Sequence, residues 1–159
     1  MKKLPIIPLL LVGGLLMGMS GTQPRGIRNN NPGNIRHTTD NWVGARSTQT
    51  DRDFVQFKSP EYGIRAMYKT LMTYKNAHGI NTIRGIITRW APPFDVKTGK
   101  VLNDTDAYIK DVMKDLGMWP DAALTTKDQY VKLIKSIIKH ENGVQPYSDI
   151  QINNGISMS

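Results

Sequence analysis

The sequence lacks several of the residues and motifs on which common enzyme sites are built. It contains no cysteine, which excludes disulfide bonds, thiolate nucleophiles and cysteine-ligated zinc. It also lacks a G-x-S-x-G nucleophile motif and a glycine loop that could hold a phosphate. Its three histidines, His37, His78 and His140, are far apart in sequence and suggest no metal site. We therefore expect neither a metal nor a cofactor.

Acidic charge is scarce, and runs of like charge are absent. The 159 residues include 21 basic and 13 acidic side chains, for a formal charge of +8. Without Lys2 and Lys3, 19 basic and 13 acidic residues remain, a net charge of +6 that is spread from Arg25 to Lys139. Such a body attracts polyanions, whether nucleic acid, an anionic membrane surface or the acidic polymers of a cell envelope.

The first residues have the pattern of an export signal. Lys2 and Lys3 precede an uncharged, mostly apolar stretch at residues 4–19, and small and polar residues follow it. This order predicts a signal peptide or a membrane anchor over residues 1–23, with the remaining chain exported or anchored at a membrane. We assign residues 24–148 to one folded domain and residues 149–159 to a flexible tail.

The body of the chain changes character near residue 59. Residues 24–52 are polar without a helical or strand period, and residues 54–57 alternate well enough for a short strand paired near Ile35. Four helices are then predicted from apolar spacing and terminal signals. They begin near Ser59, Thr82, Asp104 and Thr125. The expected fold class is α+β, mainly helical, with a small β-sheet.

The sequence contains two glutamates, one at the start of a predicted helix and the other at the end of a different predicted helix. Glu61 lies in a first turn, where the helix dipole favours a negative charge and a structural role suffices. Glu141 lies in the last turn of the fourth helix, just before Asn142 and Gly143, where the dipole disfavours a negative charge. A glutamate that is kept protonated is what a general acid for glycoside cleavage requires, whereas a solvated helix end is the structural alternative.

Two stretches resemble enzymes that degrade peptidoglycan. Residues 137–148, with Glu141 at a helix end followed by a proline, resemble the catalytic segment of lysozyme-like lytic transglycosylases. Residues 31–36, Trp42, Gly44, residues 54–57 and the helix predicted over residues 63–74 are similar to the stretch that follows the catalytic glutamate in bacterial and phage glucosaminidases and muramidases. Here Glu141 follows that stretch, an order that would be a circular permutation of the lysozyme-like core.

The most distinctive string is GIRNNNPGNIR at residues 26–36, because small phage virion proteins carry it near their start. The resemblance implies a phage-encoded, lysozyme-like domain that cleaves peptidoglycan during cell entry or host lysis, behind an N-terminal transmembrane or signal helix. Peptidoglycan, the membrane and other virion proteins would be its partners.

The same resemblance assigns roles to individual residues. Glu141 would be the catalytic acid and base, and Asn31, Asn34 and Arg36 would donate hydrogen bonds to acetamido and lactyl groups. An Asn-Gly turn built for backbone reasons explains those three residues equally well. Trp42 and Tyr147 would stack on sugar faces, whereas Trp90 fits a helix core better.

A second carboxylate is needed only for hydrolysis. A lytic transglycosylase can act with one carboxylate, whereas a hydrolase needs another about 5 Å away for retention or about 6.5–9.5 Å away for inversion. The candidates are Asp104 and Asp53, with Asp40 and Asp51 as further alternatives.

Two other functions compete with catalysis. A virion structural membrane protein could keep a lysozyme-like fold without activity, and the position of Glu141, in a cleft or in solvent, would distinguish it from an enzyme. A nucleic-acid-binding module is favoured by the charge but opposed by the export segment and by the absence of a basic stripe on any one helix.

Overall fold

The computed structural model describes residues 23–159. Six helices follow one another in this part of the chain. They are α1 (Arg25–Arg28), α2 (Pro60–His78), α3 (Ile83–Trp90), α4 (Thr105–Leu116), α5 (Lys127–Asn142) and α6 (Asp149–Ser157).

The four predicted helices are confirmed, and their ends are set by ordinary capping chemistry. Pro60 opens α2, and Gly79, with φ of 68°, closes it in the left-handed conformation that glycine adopts without strain. The hydroxyl of Thr82 accepts a hydrogen bond from the backbone of α3, as the carboxylate of Asp104 does for α4. Helix α5 begins one residue later than predicted, because Thr126 forms the capping box.

Helix α5 is the centre of the core. It packs against α1, α2, α4 and α6, while α2 also packs against α6 and α3 against α4. The buried face of α5 carries aliphatic side chains with no solvent exposure, and these are Leu133, Ile134, Ile137 and Ile138. Each such side chain stabilises the fold by about 1.5–3 kcal/mol relative to an exposed one. The last turn of α5, which holds Glu141, is therefore fixed on a rigid element.

The prediction of an α+β, lysozyme-like body with a small β-sheet is wrong. Residues 23–159 contain no sheet and only four isolated antiparallel bridges. One of them, Arg36 with Phe54, lies where the strand was expected to pair, but pairing does not continue along residues 54–57. The described part of the chain is a helical domain with an irregular segment, residues 29–58, between α1 and α2.

Side-chain amides explain why no sheet forms in that segment. The oxygen Oε1 of Gln56 accepts hydrogen bonds from the backbone N–H groups of Thr50 and Asp51, and the backbone N–H of Gln56 itself donates to Gln49. These side chains occupy backbone groups that a strand ladder would use. The alternation of the segment also fails, because Val55, Gln56 and Phe57 are all buried.

The end of the chain, predicted as a flexible tail over residues 149–159, instead forms helix α6. Ser148 and Gln151 make a capping box, and Ile152 and Ile156 are buried. A Cβ atom on Gly155 would lie 2.8 Å from the backbone oxygen of Glu61, so this glycine lets α6 approach α2 closely. Most residues of α6 are polar, so the sequence pattern did not reveal that Ile152 and Ile156 form a buried apolar face.

The predicted leader, residues 1–23, lies outside the described residues except for Gln23. Among residues 23–159, no helix has the length and apolar character needed to cross a membrane.

Candidate functional site

Glu141 lies at the C-terminal end of α5 and faces a cleft. Its side chain is half-buried and held at both oxygens by neutral donors. The hydroxyl of Tyr108, on α4, donates to Oε1 at 3.1 Å. The amide Nδ2 of Asn34, in the irregular segment, donates to Oε2 at 3.1 Å. Three separate parts of the chain therefore meet at one carboxyl group, which no described cation neutralises.

Tyr108 is a buried tyrosine whose only polar atom points at the site. Its side chain is 2% exposed, and burial followed by the nearby charge of Glu141 raises its pKa far above the ordinary value. The phenol therefore stays protonated and donates a hydrogen bond to the carboxylate. The ring of His140 stacks on Tyr108 with centroids 3.5 Å apart, and Nδ1 of His140 lies 3.2 Å from Asp111.

The asparagine-rich string is the scaffold that presents Asn34 to Glu141. Asn31 has no solvent exposure, and its amide donates to the backbone oxygens of Ile35 and Val55, each at 2.8 Å. Its Oδ1 accepts the N–H of Ile35 at 2.9 Å, which closes a tight loop around residue 34. Asn34 itself has φ of 50°, a left-handed conformation that asparagine tolerates better than most residues.

A second set of contacts joins this loop to the end of α5. The amide of Asn142 donates to the backbone oxygen of Pro32 at 2.8 Å. The side-chain oxygens of Asn34 and Asn142 both face Gly26, where a Cβ atom would lie only 2.8 Å and 2.4 Å from them. Gly26 therefore permits α1 to approach the site, which explains why the distinctive string begins with glycine.

The cleft in front of Glu141 has a volume of about 1010 Å³. Aromatic side chains line it, and these are Trp42, Phe54, Tyr74 and Trp90. Basic side chains line it as well, and these are Arg36, Arg65, Lys69 and Arg89. Among the described residues, the carboxylates in the lining belong to Glu141 and Asp40. A cleft with aromatic rings, cationic groups and two carboxyl groups can bind a polar ligand through stacking, hydrogen bonds and charge.

Four of the residues predicted from the sequence are brought together in this cleft. Glu141, Asn34, Arg36 and Trp42 all contribute to its lining. Asn34 contacts Glu141 directly, so its amide positions the carboxyl group. The guanidinium of Arg36 lies 5.1 Å from the ring centroid of Phe54, another lining residue.

The other two predicted substrate-binding residues lie elsewhere. Asn31 is fully buried, and its side-chain amide forms hydrogen bonds with backbone groups. Asn31 therefore has the structural role in the turn that was the alternative to substrate binding. Tyr147 is 8% exposed and packs in the hydrophobic core, where burial raises its pKa to about 12. Neither side chain reaches the cleft.

The two preferred second carboxylates also lie outside the cleft lining. Asp53 forms an ion pair with Arg25 at 2.8 Å, and Asp104 caps α4 by accepting the N–H of Ala107 at 3.0 Å. Asp51 has a structural role, since its carboxylate accepts hydrogen bonds from the side chains of Arg25 and Asn29. The guanidinium of Arg25 holds the pKa of Asp51 well below its usual range. Asp40 is the candidate that does line the cleft, with its carboxylate 2.7 Å from the hydroxyl of Thr38.

Sequence reasoning missed several residues of the site. Trp90 was assigned to the core, but it is half-buried and also lines the cleft next to Gly33. Tyr108, on α4, was not identified as a site residue. The signal was its hydroxyl, because a buried tyrosine needs a hydrogen-bond partner. Arg65 and Lys69 could also have been found from the sequence. They are four residues apart on a predicted helix, so they place two positive charges on one face of it.

Within residues 23–159, no group of three or more histidine, aspartate or glutamate side chains is arranged to hold a metal ion.

Comparison with known proteins gives one informative relationship. The chain is 38% identical over 134 residues to a protein named "Protein P5" from Pseudoalteromonas phage PM2, and the match covers 82% of this chain and 79% of the relative. No protein-family model matches the sequence.

Proposed function

The chain belongs to the family of phage Protein P5, and we propose that it cleaves the glycan strands of bacterial peptidoglycan with Glu141 as general acid and base. One observation carries this proposal: Glu141 lies in a large cleft with both carboxyl oxygens held by neutral donors. A glutamate left in solvent at the end of a helix would instead have favoured a purely structural role.

The partners of Glu141 suit a group that must both give and take a proton. A hydroxyl can donate or accept a hydrogen bond, so Tyr108 can contact Oε1 whether Glu141 is charged or neutral. The amide of Asn34 holds the other oxygen in place. Both partners are neutral, so neither forms an ion pair with the carboxyl group.

The lining of the cleft supports a carbohydrate substrate. Trp42 and Trp90 are both partly exposed there, and an aromatic ring offers a flat apolar surface to the face of a sugar. The relationship to a phage protein supports bacterial peptidoglycan as that carbohydrate substrate, since a phage meets this polymer during entry and during lysis of its host.

The proposed reaction uses one carboxyl group twice. Protonated Glu141 gives its proton to the glycosidic oxygen as the bond from that oxygen to C1 of the muramyl sugar breaks. The departing sugar leaves with a free hydroxyl group. The ionised carboxylate then takes the proton of the muramyl C6 hydroxyl as its oxygen bonds to C1, which forms a 1,6-anhydro ring and restores the acid. No water is consumed.

A hydrolytic variant of this reaction would use Asp40. Its carboxylate would activate a water molecule on the opposite face of the sugar, and the product would carry an ordinary reducing end. Replacement by asparagine separates the two routes, since Asp40→Asn abolishes hydrolysis but leaves anhydro-ring formation to Glu141.

The clearing of purified peptidoglycan by the full-length protein tests the proposal. We expect the wild-type protein to clear the suspension and Glu141→Gln to be slower by a factor of about 10²–10⁴, which is what a lost general acid costs. The matched control is Glu61→Gln, because Glu61 is the other glutamate and lies outside the cleft lining. Equal rates for all three proteins would overturn the proposal.

A second candidate is a phage structural protein without activity. The relationship to a phage protein is compatible with it, and the hydrogen bonds at Glu141 also join α4, α5 and the irregular segment. In that case wild-type protein would be inert on peptidoglycan of several wall types, and Glu141→Gln would alter only stability.

A further inference from the structure

The basic side chains of the cleft form a surface that we name the cationic wall, made of Arg36, Arg65, Lys69 and Arg89. We propose that this wall binds acidic groups along the substrate strand, so that the cleft selects a polyanionic glycan over a neutral one. The inference rests on the proposed function, because it specifies the substrate class of the same site.

The wall carries positive charge that the described residues do not neutralise. None of its four members forms an ion pair with a carboxylate of residues 23–159. Other basic residues, among them Arg25, Arg84 and Lys139, are paired with aspartates. The wall is therefore open to an anion supplied by a ligand, with only Asp40 and Glu141 as acids in the same lining.

Two members of the wall are held in place by aromatic rings of the cleft. The guanidinium of Arg36 lies 5.1 Å from the centroid of Phe54, and that of Arg89 lies 5.1 Å from the centroid of Tyr74. Stacking of this kind positions a guanidinium while its N–H groups remain available at the edge. These cations are thus partly ordered before a ligand arrives, which lowers the entropic cost of binding.

Helix α2 extends the wall along the cleft. Arg65, Lys69 and Thr73 are spaced by four residues and all line it, as does His78 at the end of the helix. The two charged members on this helix, Arg65 and Lys69, lie about 6 Å apart along its axis, at about 1.5 Å per residue. Arg65 is anchored by a 2.8 Å hydrogen bond from Nε to the backbone oxygen of Met158. Four cations distributed over the lining of one cleft fit several charges on a strand better than a single small anion.

Repeated carboxylates are the chemistry that distinguishes peptidoglycan from a neutral polymer of the same sugars. The attached peptides carry carboxyl groups, and so do those lactyl groups to which no peptide is attached, whereas chitin carries none. Guanidinium groups bind carboxylates with two parallel hydrogen bonds, which gives direction as well as charge attraction. The wall therefore explains how Glu141 would receive an acidic strand rather than any N-acetylated glycan.

The test measures binding in the full-length Glu141→Gln background, so that cleavage does not interfere. Insoluble peptidoglycan is used either untreated or with its carboxyl groups converted to neutral amides. The wall variant carries Lys69→Gln and Arg89→Gln in addition. The matched control carries Lys110→Gln and Lys114→Gln, which remove two exposed charges on α4 outside the cleft lining.

We expect the wall variant to bind untreated peptidoglycan about threefold to tenfold more weakly than the parent, and the control to change by less than about twofold. Amidation should weaken binding of the parent and remove its advantage over the wall variant. Equal losses in the two double variants, or equal binding before and after amidation, would overturn the proposal.

Duplex DNA serves as a second ligand in the same assay. If the wall variant loses DNA binding while its peptidoglycan binding is unchanged, the wall is a nucleic-acid surface and the proposal is wrong. Failure of cleavage by the wild-type protein is a separate result, because it bears on Glu141 and leaves these binding measurements intact.

Discussion

Residues 25–58 and residues 60–157 are held together by different interactions. The second region is built from apolar faces, with fully buried aliphatic residues on α2, α3 and α5. In the first region the amides of Asn29, Asn31 and Gln56 bind backbone or side-chain groups at the centre of an irregular loop. Glu141 lies where the two regions meet. A loop built from side-chain amides thus brings polar groups to the end of a helix, and the two together form the candidate site.

The largest expected effect lies in the helical region. Ile137 has no solvent exposure on α5, so Ile137→Ala should lower the free energy of unfolding by about 2–5 kcal/mol through lost burial and a cavity. Chemical denaturation followed by circular dichroism measures it. The control is Ile150→Ala, at a side chain that is 73% exposed, which should cost less than about 0.5 kcal/mol. Similar costs at both positions would contradict the assignment of the core.

Asn31→Ala tests the amide-built region. The substitution removes the side-chain donor to the buried backbone oxygen of Val55 and the acceptor of the Ile35 N–H, and should lower the free energy of unfolding by about 1–3 kcal/mol. Asn154→Ala, at an exposed asparagine of α6, is the matched control and should have almost no effect. If Asn31→Ala were as mild as the control, the loop would not depend on its amides.

Tyr108→Phe addresses the junction of the two regions. It removes one hydrogen bond to Glu141 and keeps the ring packed, so stability should fall by only about 0.5–1.5 kcal/mol. The rate of peptidoglycan clearing should fall by more than this loss of folded protein explains. Thermal melting and clearing rates measured on one preparation separate the two effects, and an unchanged rate would exclude Tyr108 from the site.

The smallest effects should come from acid titration of two aspartates, one in each region. Arg25 lowers the pKa of Asp51, and Arg84 lowers that of Asp121. A carboxyl with a depressed folded-state pKa stabilises the fold fully above its unfolded pKa, near 3.9, and loses that contribution as the pH falls.

Unfolding midpoints between pH 6 and pH 3 should therefore decline less steeply in Asp51→Asn than in the wild-type protein. Asp121→Asn should follow the wild-type curve closely, because Asp121 is 66% exposed and solvent screens its pair with Arg84. Parallel curves for all three proteins would show that the Arg25 network does not stabilise the amide-built region.

Apolar periodicity made the helical region predictable. Ile83, Ile86 and Ile87, spaced along one face, predicted α3, and Gly79 and Gly117 marked helix ends that the structure confirms. Helix α6 was missed because Ile152 and Ile156 stand alone among polar residues. Its burial depends on the distant surface of α2, which no local pattern reveals.

The site was predictable only in part, because its geometry depends on long-range contacts. Glu141 was found from its position at a helix end, and Asn34 from the distinctive string. Their contact joins residues 107 positions apart, and that of Tyr108 spans 33 positions. The expected sheet failed for a related reason, since asparagine and glutamine side chains took the hydrogen bonds that alternation assigned to strands.

Mass spectrometry of the sugar ends released from purified peptidoglycan tests the central claim most directly. The account predicts that wild-type protein generates 1,6-anhydro ends and that Glu141→Gln, folded and at equal concentration, generates essentially none. If the wild-type protein releases no new ends, or if Glu141→Gln releases as many, Glu141 is not the acid of a glycan-cleaving site and the account is contradicted.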